Sequence, residues 1–144
     1  GDDPVTIAFG STYTDAGATA LDNYDGDLTT EIVLTGSVDT NTIGSYTLSY
    51  NVSDSSGNQA VTITRVVNVA DTEAPVAICQ DLTVLLDEFG NEFILASYID
   101  NGSYDNDGID TIEIDIDTFD CNLIGENIVI LTVTDFSGNE SSCC

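Results

Sequence analysis

The sequence predicts an all-β protein built as two tandem immunoglobulin-like β-sandwich domains, and three observations carry that expectation. Threonine, valine and isoleucine are common while methionine and tryptophan are absent, a composition that favours strands. Apolar residues recur with period two and never with a helical period, as in Tyr46, Leu48, Tyr50 and Val52 alternating with Thr47, Ser49, Asn51 and Ser53. An opening signal of acidic residue, proline and short strand occurs twice, as Asp2-Asp3-Pro4 before Val5-Thr6-Ile7 and as Asp71-Thr72-Glu73-Ala74-Pro75 before Val76-Ala77-Ile78. The expected modules are therefore residues 1–70 and 71–144.

In the first copy, Val5 to Phe9 reads as a strand, and Asp15-Ala16-Gly17 as a turn. Asp22-Asn23-Tyr24-Asp25-Gly26-Asp27 is an acidic loop with a glycine at its bend, and Glu31 to Thr35 is the next strand. The alternating strand through Val52 runs into the tight turn Asp54-Ser55-Ser56-Gly57-Asn58 and returns as Ala60 to Val69, closing a hairpin. In the second copy, Val76 to Cys79, Thr83 to Leu86 and Phe93 to Leu95 read as strands, followed by an acidic loop from Asp100 to Gly108. Ile112, Ile114 and Ile116 alternate with Glu113, Asp115 and Asp117, a strand with one apolar and one carboxylate face. Val129, Leu131 and Val133 lead into Asp135-Phe136-Ser137-Gly138-Asn139. After Asn139 only five residues remain, so the last strand reads as cut short or as supplied by another subunit through donor-strand addition.

The two copies keep register. Asp25 and Asp107 are 82 positions apart, as are Glu31 and Glu113, and Asp54 to Asp135 and Asn58 to Asn139 are each 81. The prolines differ by 71, which places the insertions of the second copy before its acidic loop.

Charge excludes several function classes. With 26 acidic residues against one basic residue, Arg65, the net charge is -25. Nothing could replace the counterions around a nucleic acid, and an anionic lipid surface would repel such a chain. No apolar run is long enough to span a membrane, and with no signal-peptide pattern the chain reads as a mature fragment or an excised piece. Catalysis has little to draw on, since there is no histidine, no lysine and a single arginine. The expectation is a protein that is not an enzyme. Four cysteines, all in the second copy, fit an extracellular module.

Clustered carboxylates on loops suggest calcium, which takes six to eight oxygens from flexible segments. Asp22, Asp25, Asp27, Asp54 and Asn58, with Asp2 or Asp3, are the candidates in the first copy. Asp71, Glu73, Asp100, Asp105, Asp107, Asp135 and Asn139 are those in the second. The competing reading is that aspartate, asparagine and glycine here simply make turns. Tyr24 and Tyr104, in the acidic loops, could stack on sugars or pack beside their loops.

The motif Asp71-Thr72-Glu73-Ala74-Pro75, the Asp-Gly loop and the run Thr132-Val133-Thr134-Asp135-Phe136-Ser137-Gly138-Asn139 resemble hyalin-repeat and related bacterial immunoglobulin-like modules. The first copy, with Tyr13-Thr14-Asp15-Ala16-Gly17-Ala18 and Gly44-Ser45-Tyr46, is similar to a sister class of these surface repeats. The resemblance covers essentially the whole chain and implies tandem arrays on large secreted or cell-surface bacterial proteins, such as the giant adhesins of gliding Bacteroidetes. It places Cys79 on the first strand of the second module and Cys143 on the last, which neighbour each other in such sandwiches, so it implies their disulfide. Asp107 stands where the family often has a cysteine and Cys144 follows Cys143, so Cys121 and Cys144 are open: bonded to each other, to another chain, or free. The function expected is a calcium-stiffened stalk or filament repeat whose partners are neighbouring repeats of the array. The alternatives are a module that binds a surface glycan or protein, and a donor-strand fibre subunit.

Overall fold

The computed structural model describes residues 2–144 and is nearly all β. By contact density the chain divides into two compact units, Gly1–Asp71 and Thr72–Cys144. No helix among the described residues is long and apolar enough to cross a membrane.

The first unit contains β1 (Val5–Ala8), β2 (Leu21–Asp22), β3 (Gly26–Asp27), β4 (Val33–Thr35), β5 (Gly44–Asn51) and β6 (Ile63–Ala70). Its main sheet runs β1-β6-β5-β4, with β1 parallel to β6 and the other pairs antiparallel; β2 and β3 form a separate small hairpin. The alternation in β5 turns Leu48 and Tyr50 inward, and with Val67 they form a core that Val5, Ile7, Tyr13, Ala18, Ile32, Val38 and Tyr46 surround.

Two first-copy strands differ from expectation. The strand expected over Glu31–Thr35 starts late, because Asp27 accepts a hydrogen bond from the Thr29 amide at 2.9 Å and opens a 3-10 turn over Thr29–Glu31. The return strand expected from Ala60 is regular only from Ile63. Between the Tyr50–Ile63 pair and the isolated Ser53–Gln59 bridge, one strand advances three residues and the other four, so a bulge interrupts the ladder.

The chain's single cation is inside this unit. Arg65 lies on the core face of β6, paired with Asp15, and its Nη1 also donates to the Tyr50 hydroxyl at 2.9 Å. Tyr50 and Tyr13 donate to Asp15 Oδ1 at 2.7 and 3.1 Å, Gly17 N donates to Asp15 Oδ2 at 3.0 Å, and Arg65 Nη2 donates to the Gly17 carbonyl at 3.1 Å. This network holds the irregular segment 13–17 on the sheet through side chains where no backbone ladder does so.

In the second unit, β8 (Ile109–Ile114), β10 (Leu131–Asp135) and β11 (Glu140–Cys143) form a sheet in the order β11-β10-β8, and β7 (Asn91–Phe93) pairs with β9 (Thr118–Asp120). Ile94, Ile99, Phe119, Leu131 and Val133 make its core, with Ile112, Ile114 and Ile116 packed against them while Glu113, Asp115 and Asp117 face solvent. Cys79 and Cys143 form a disulfide; Cys121 and Cys144 are free and exposed.

Three stretches of this unit depart from the strand reading. Val76–Cys79 makes only single bridges, Val76 to Tyr104 and Cys79 to Asp100. Thr83–Leu86 joins no ladder, although Val84 and Leu86 still alternate into the core. The strand expected over Phe93–Leu95 is instead β7, ending at Phe93, and the chain then makes one helical turn, α1 (Ala96–Ile99), which buries Ile99. A four-residue turn is shorter than the window in which a helical period can be seen.

Candidate metal centre

The two acidic hairpin turns are the same object built twice. Asp54 N donates to the Asn58 carbonyl at 2.9 Å, and Asp135 N to that of Asn139 at 3.1 Å. Gly57 and Gly138 both sit at φ 87°, in the left-handed region that glycine adopts without strain. Asp54 accepts from the Asn58 amide and side chain at 2.7 and 2.6 Å, and Asp135 from those of Asn139 at 2.8 and 2.9 Å. Each turn is then tied to its acidic loop by a serine: Ser55 Oγ donates to Asp25 at 2.9 Å, and Ser137 Oγ to Asp107 at the same distance.

Most of the other candidate ligands cap nearby backbone. Asp3 accepts from Val66 N at 2.7 Å, Asp22 from Tyr24 N and Asp25 N at 2.7 and 2.9 Å, and Asp25 also from Ser55 N at 2.8 Å. Asp27 caps Thr29 as described, and Asp100 accepts from Ser103 N at 3.0 Å. Glu73 accepts from Asn106 Nδ2 at 3.0 Å.

Three carboxylates converge. Asp71, Asp105 and Asp135 each offer an oxygen within 4.8 Å of the other two, the one such group of three among the described residues. Asp71 is the residue from which the chain runs into Pro75 and the second unit. Asp105 stands in the acidic loop, where it also accepts from Asp107 N at 2.7 Å, and Asp135 ends β10 with 1% of its surface exposed. Burial pushes the Asp135 carboxyl up, but the hydrogen bonds from Asn139, Ser137 and Gly138 outweigh it and hold it below the ordinary carboxylate value. Asp135 is therefore ionised at neutral pH, beside two further carboxylates.

Like charges at this separation repel. The donors are hard oxygens, and the chain contains no histidine. Three carboxylates offer up to six oxygens, and backbone carbonyls or water can complete the shell, so the set fits calcium in donor type and number. In the first copy, 82 positions before Asp105 stands Asn23, and Asp54, the counterpart of Asp135, joins no such group of three among the described residues.

Residues 1–69 match the family model described as "Bacterial surface protein, Ig-like domain". The match lies within the first unit and stops short of the second. Comparison with curated proteins gives no match. Among solved structures, a lipoprotein from Bacteroides thetaiotaomicron is similar over 99% of this chain and 94% of its own, at 19% identity and a TM-score of 0.46, a likeness too slight to carry an argument. The first unit is thus similar to a bacterial surface-protein module.

Proposed function

We propose that the chain is a non-catalytic pair of immunoglobulin-like sandwiches, residues 1–70 and 71–144, stiffened by calcium in the stalk or filament of an extracellular or cell-surface bacterial adhesin. The observation that carries the reading is the convergence of Asp71, Asp105 and Asp135 on one point. An ion there holds the acidic loop at Asp105 to the end of β10 at Asp135, within the second unit. Extracellular calcium modules bind with dissociation constants of about 0.1 to 1 mM, so the ion is held outside the cell and lost in cytosolic conditions. Surface location is supported by the match of residues 1–69 to a bacterial surface-protein domain. The array neighbours of such a module are its structural partners.

The test is thermal denaturation in about 10 mM calcium against excess chelator, with magnesium as control. At that concentration binding adds about 1.4 to 2.7 kcal/mol, which raises the Tm of the second unit by roughly 10 °C. Asp105→Asn should abolish the shift while leaving the fold intact. Asparagine keeps the acceptor for Asp107 N and already occupies the matching place at Asn23. A Tm indifferent to calcium in the wild-type chain would remove the stiffening role.

A further inference from the structure

Burial fails at one end of the core face of the first unit. Val67 in β6 is 0% exposed, but Ile63, on the same face of the same ladder, is 54% exposed, and Val61 just beyond is 90% exposed. They open on a cavity of about 350 Å³ walled by Ala18, Ala20, Leu28, Ile32 and Val52.

Among the described residues, the neighbouring edge of β6 is open over the same stretch. β1 covers only Val67–Ala70, and the Asp3 carboxylate takes the Val66 amide. Peptide groups alternate in direction along a strand, so the N–H and C=O of Thr64 point the same way as those of Val66, away from β5. Thr64 is exposed, past the end of β1. An uncovered strand edge beside an apolar cavity supplies both parts of a strand-addition site: backbone pairing for affinity, and a recess for alternate side chains.

The surroundings select the occupant. Exposed edges are usually guarded by charge, yet residues 55–70 contain no acidic residue, the longest acid-free run in this acidic chain. Asp22 and Asp54 stand in the cavity wall, and the net charge of -25 opposes the approach of a second copy. A strand with basic ends is drawn to that rim.

We propose that the first unit accepts an extended segment of another polypeptide, apolar at alternate positions and flanked by lysine or arginine, which pairs with β6 at Thr64 and fills the cavity. This function goes beyond the stalk role and does not depend on calcium.

The experiment is fluorescence anisotropy of a labelled, end-blocked heptapeptide of alternating valine and threonine with a lysine at each end, titrated with the full chain at about 0.15 M salt. Saturable binding is expected, weakened at least about tenfold by either of two substitutions. Thr64→Pro removes the outward N–H without touching the β5–β6 ladder. Val61→Asp puts a carboxylate where a peptide valine must be buried, a desolvation cost that outweighs its attraction for the terminal lysines, on a residue already exposed, so the fold is kept even if the proline variant unfolds. A control peptide with threonine in place of each valine should bind at least about tenfold more weakly. Equal binding of the two peptides, or of the wild type and Val61→Asp, would overturn the proposal, as would the absence of saturable binding. Concentration-dependent dimerisation of the chain abolished by Val61→Asp would assign the edge to a second copy and so also overturn it.

Discussion

Reducing the Cys79–Cys143 disulfide is expected to destabilise the second unit by about 4 kcal/mol, the loop-closure entropy returned to the unfolded chain. The bond spans 64 residues of sequence, nearly the whole unit, and joins the end of β11 to the segment bridged at Asp100. A module of this size holds only about 4 to 11 kcal/mol in total, so the loss takes a large share of it. Calorimetry with and without reductant should show the second unit's transition falling by roughly 15 to 30 °C. The first unit contains no cysteine, and its transition should stay in place. Cys121 and Cys144 must be replaced by serine for this measurement, because both are exposed thiols and Cys144 adjoins the bonded Cys143. A change under about 1 kcal/mol would mean that the unit's apolar core suffices without the crosslink.

The second large effect lies in the first unit. Asp15→Asn leaves the Arg65 guanidinium inside the core face without its counter-charge while keeping the shape of the side chain. Breaking a fully buried pair by removing one partner costs about 3 to 5 kcal/mol; this pair retains some access to solvent, so about 2 kcal/mol is expected. The Tm of the first unit should fall by roughly 10 °C. The same network sets the unit's pH limits. Burial pushes the Asp15 carboxyl up, but hydrogen bonds from Tyr50, Arg65, Gly17 and Tyr13 hold it below its ordinary value. Its contribution is therefore complete above the ordinary carboxylate pKa and is lost as pH falls through the depressed value. Tyr50 behaves oppositely: burial, then the hydrogen bond to Asp15, push its hydroxyl from 10.0 up to about 12. The unfolded chain loses that proton first, so stability falls as pH rises from 10.0 to about 12. Denaturant titrations across pH should give a plateau bounded on both sides, with the acid limb reduced by Asp15→Asn and the alkaline limb by Tyr50→Phe. An unchanged profile in both variants would separate the network from the unit's stability.

What could be read from the residues follows from the range of the interactions involved. The alternation through Leu48 and Tyr50, and that through Ile112 to Ile116, is legible because burial on one side of a strand imposes period two within a few residues. Arg65 is the opposite case. Its partner lies 50 residues earlier in an irregular stretch, so an arginine in a strand reads as solvent-facing until the fold supplies Asp15. Being the chain's only cation was the available signal. Thr83–Leu86 keeps strand-like side-chain alternation without a partner strand, which local sequence cannot distinguish from a paired strand. At the candidate metal centre, the register between copies identifies equivalent loops but not how each carboxylate is used. Asp25 and Asp107 occupy the same motif position and both take a serine hydroxyl, whereas Asp105, two residues earlier than Asp107, meets Asp71 and Asp135. A carboxylate that only caps a turn and one that also stands beside other carboxylates look alike in sequence, because both favour the same Asp-Asn-Gly loops.

Calcium titration of the chelator-stripped chain by calorimetry, run alongside Asp105→Asn, tests the centre most directly. We expect one site on the wild-type chain with a dissociation constant of about 0.1 to 1 mM, and loss of that site in the variant. Heats indistinguishable from dilution in the wild type, or an unchanged isotherm in the variant, would contradict an ion held by Asp71, Asp105 and Asp135.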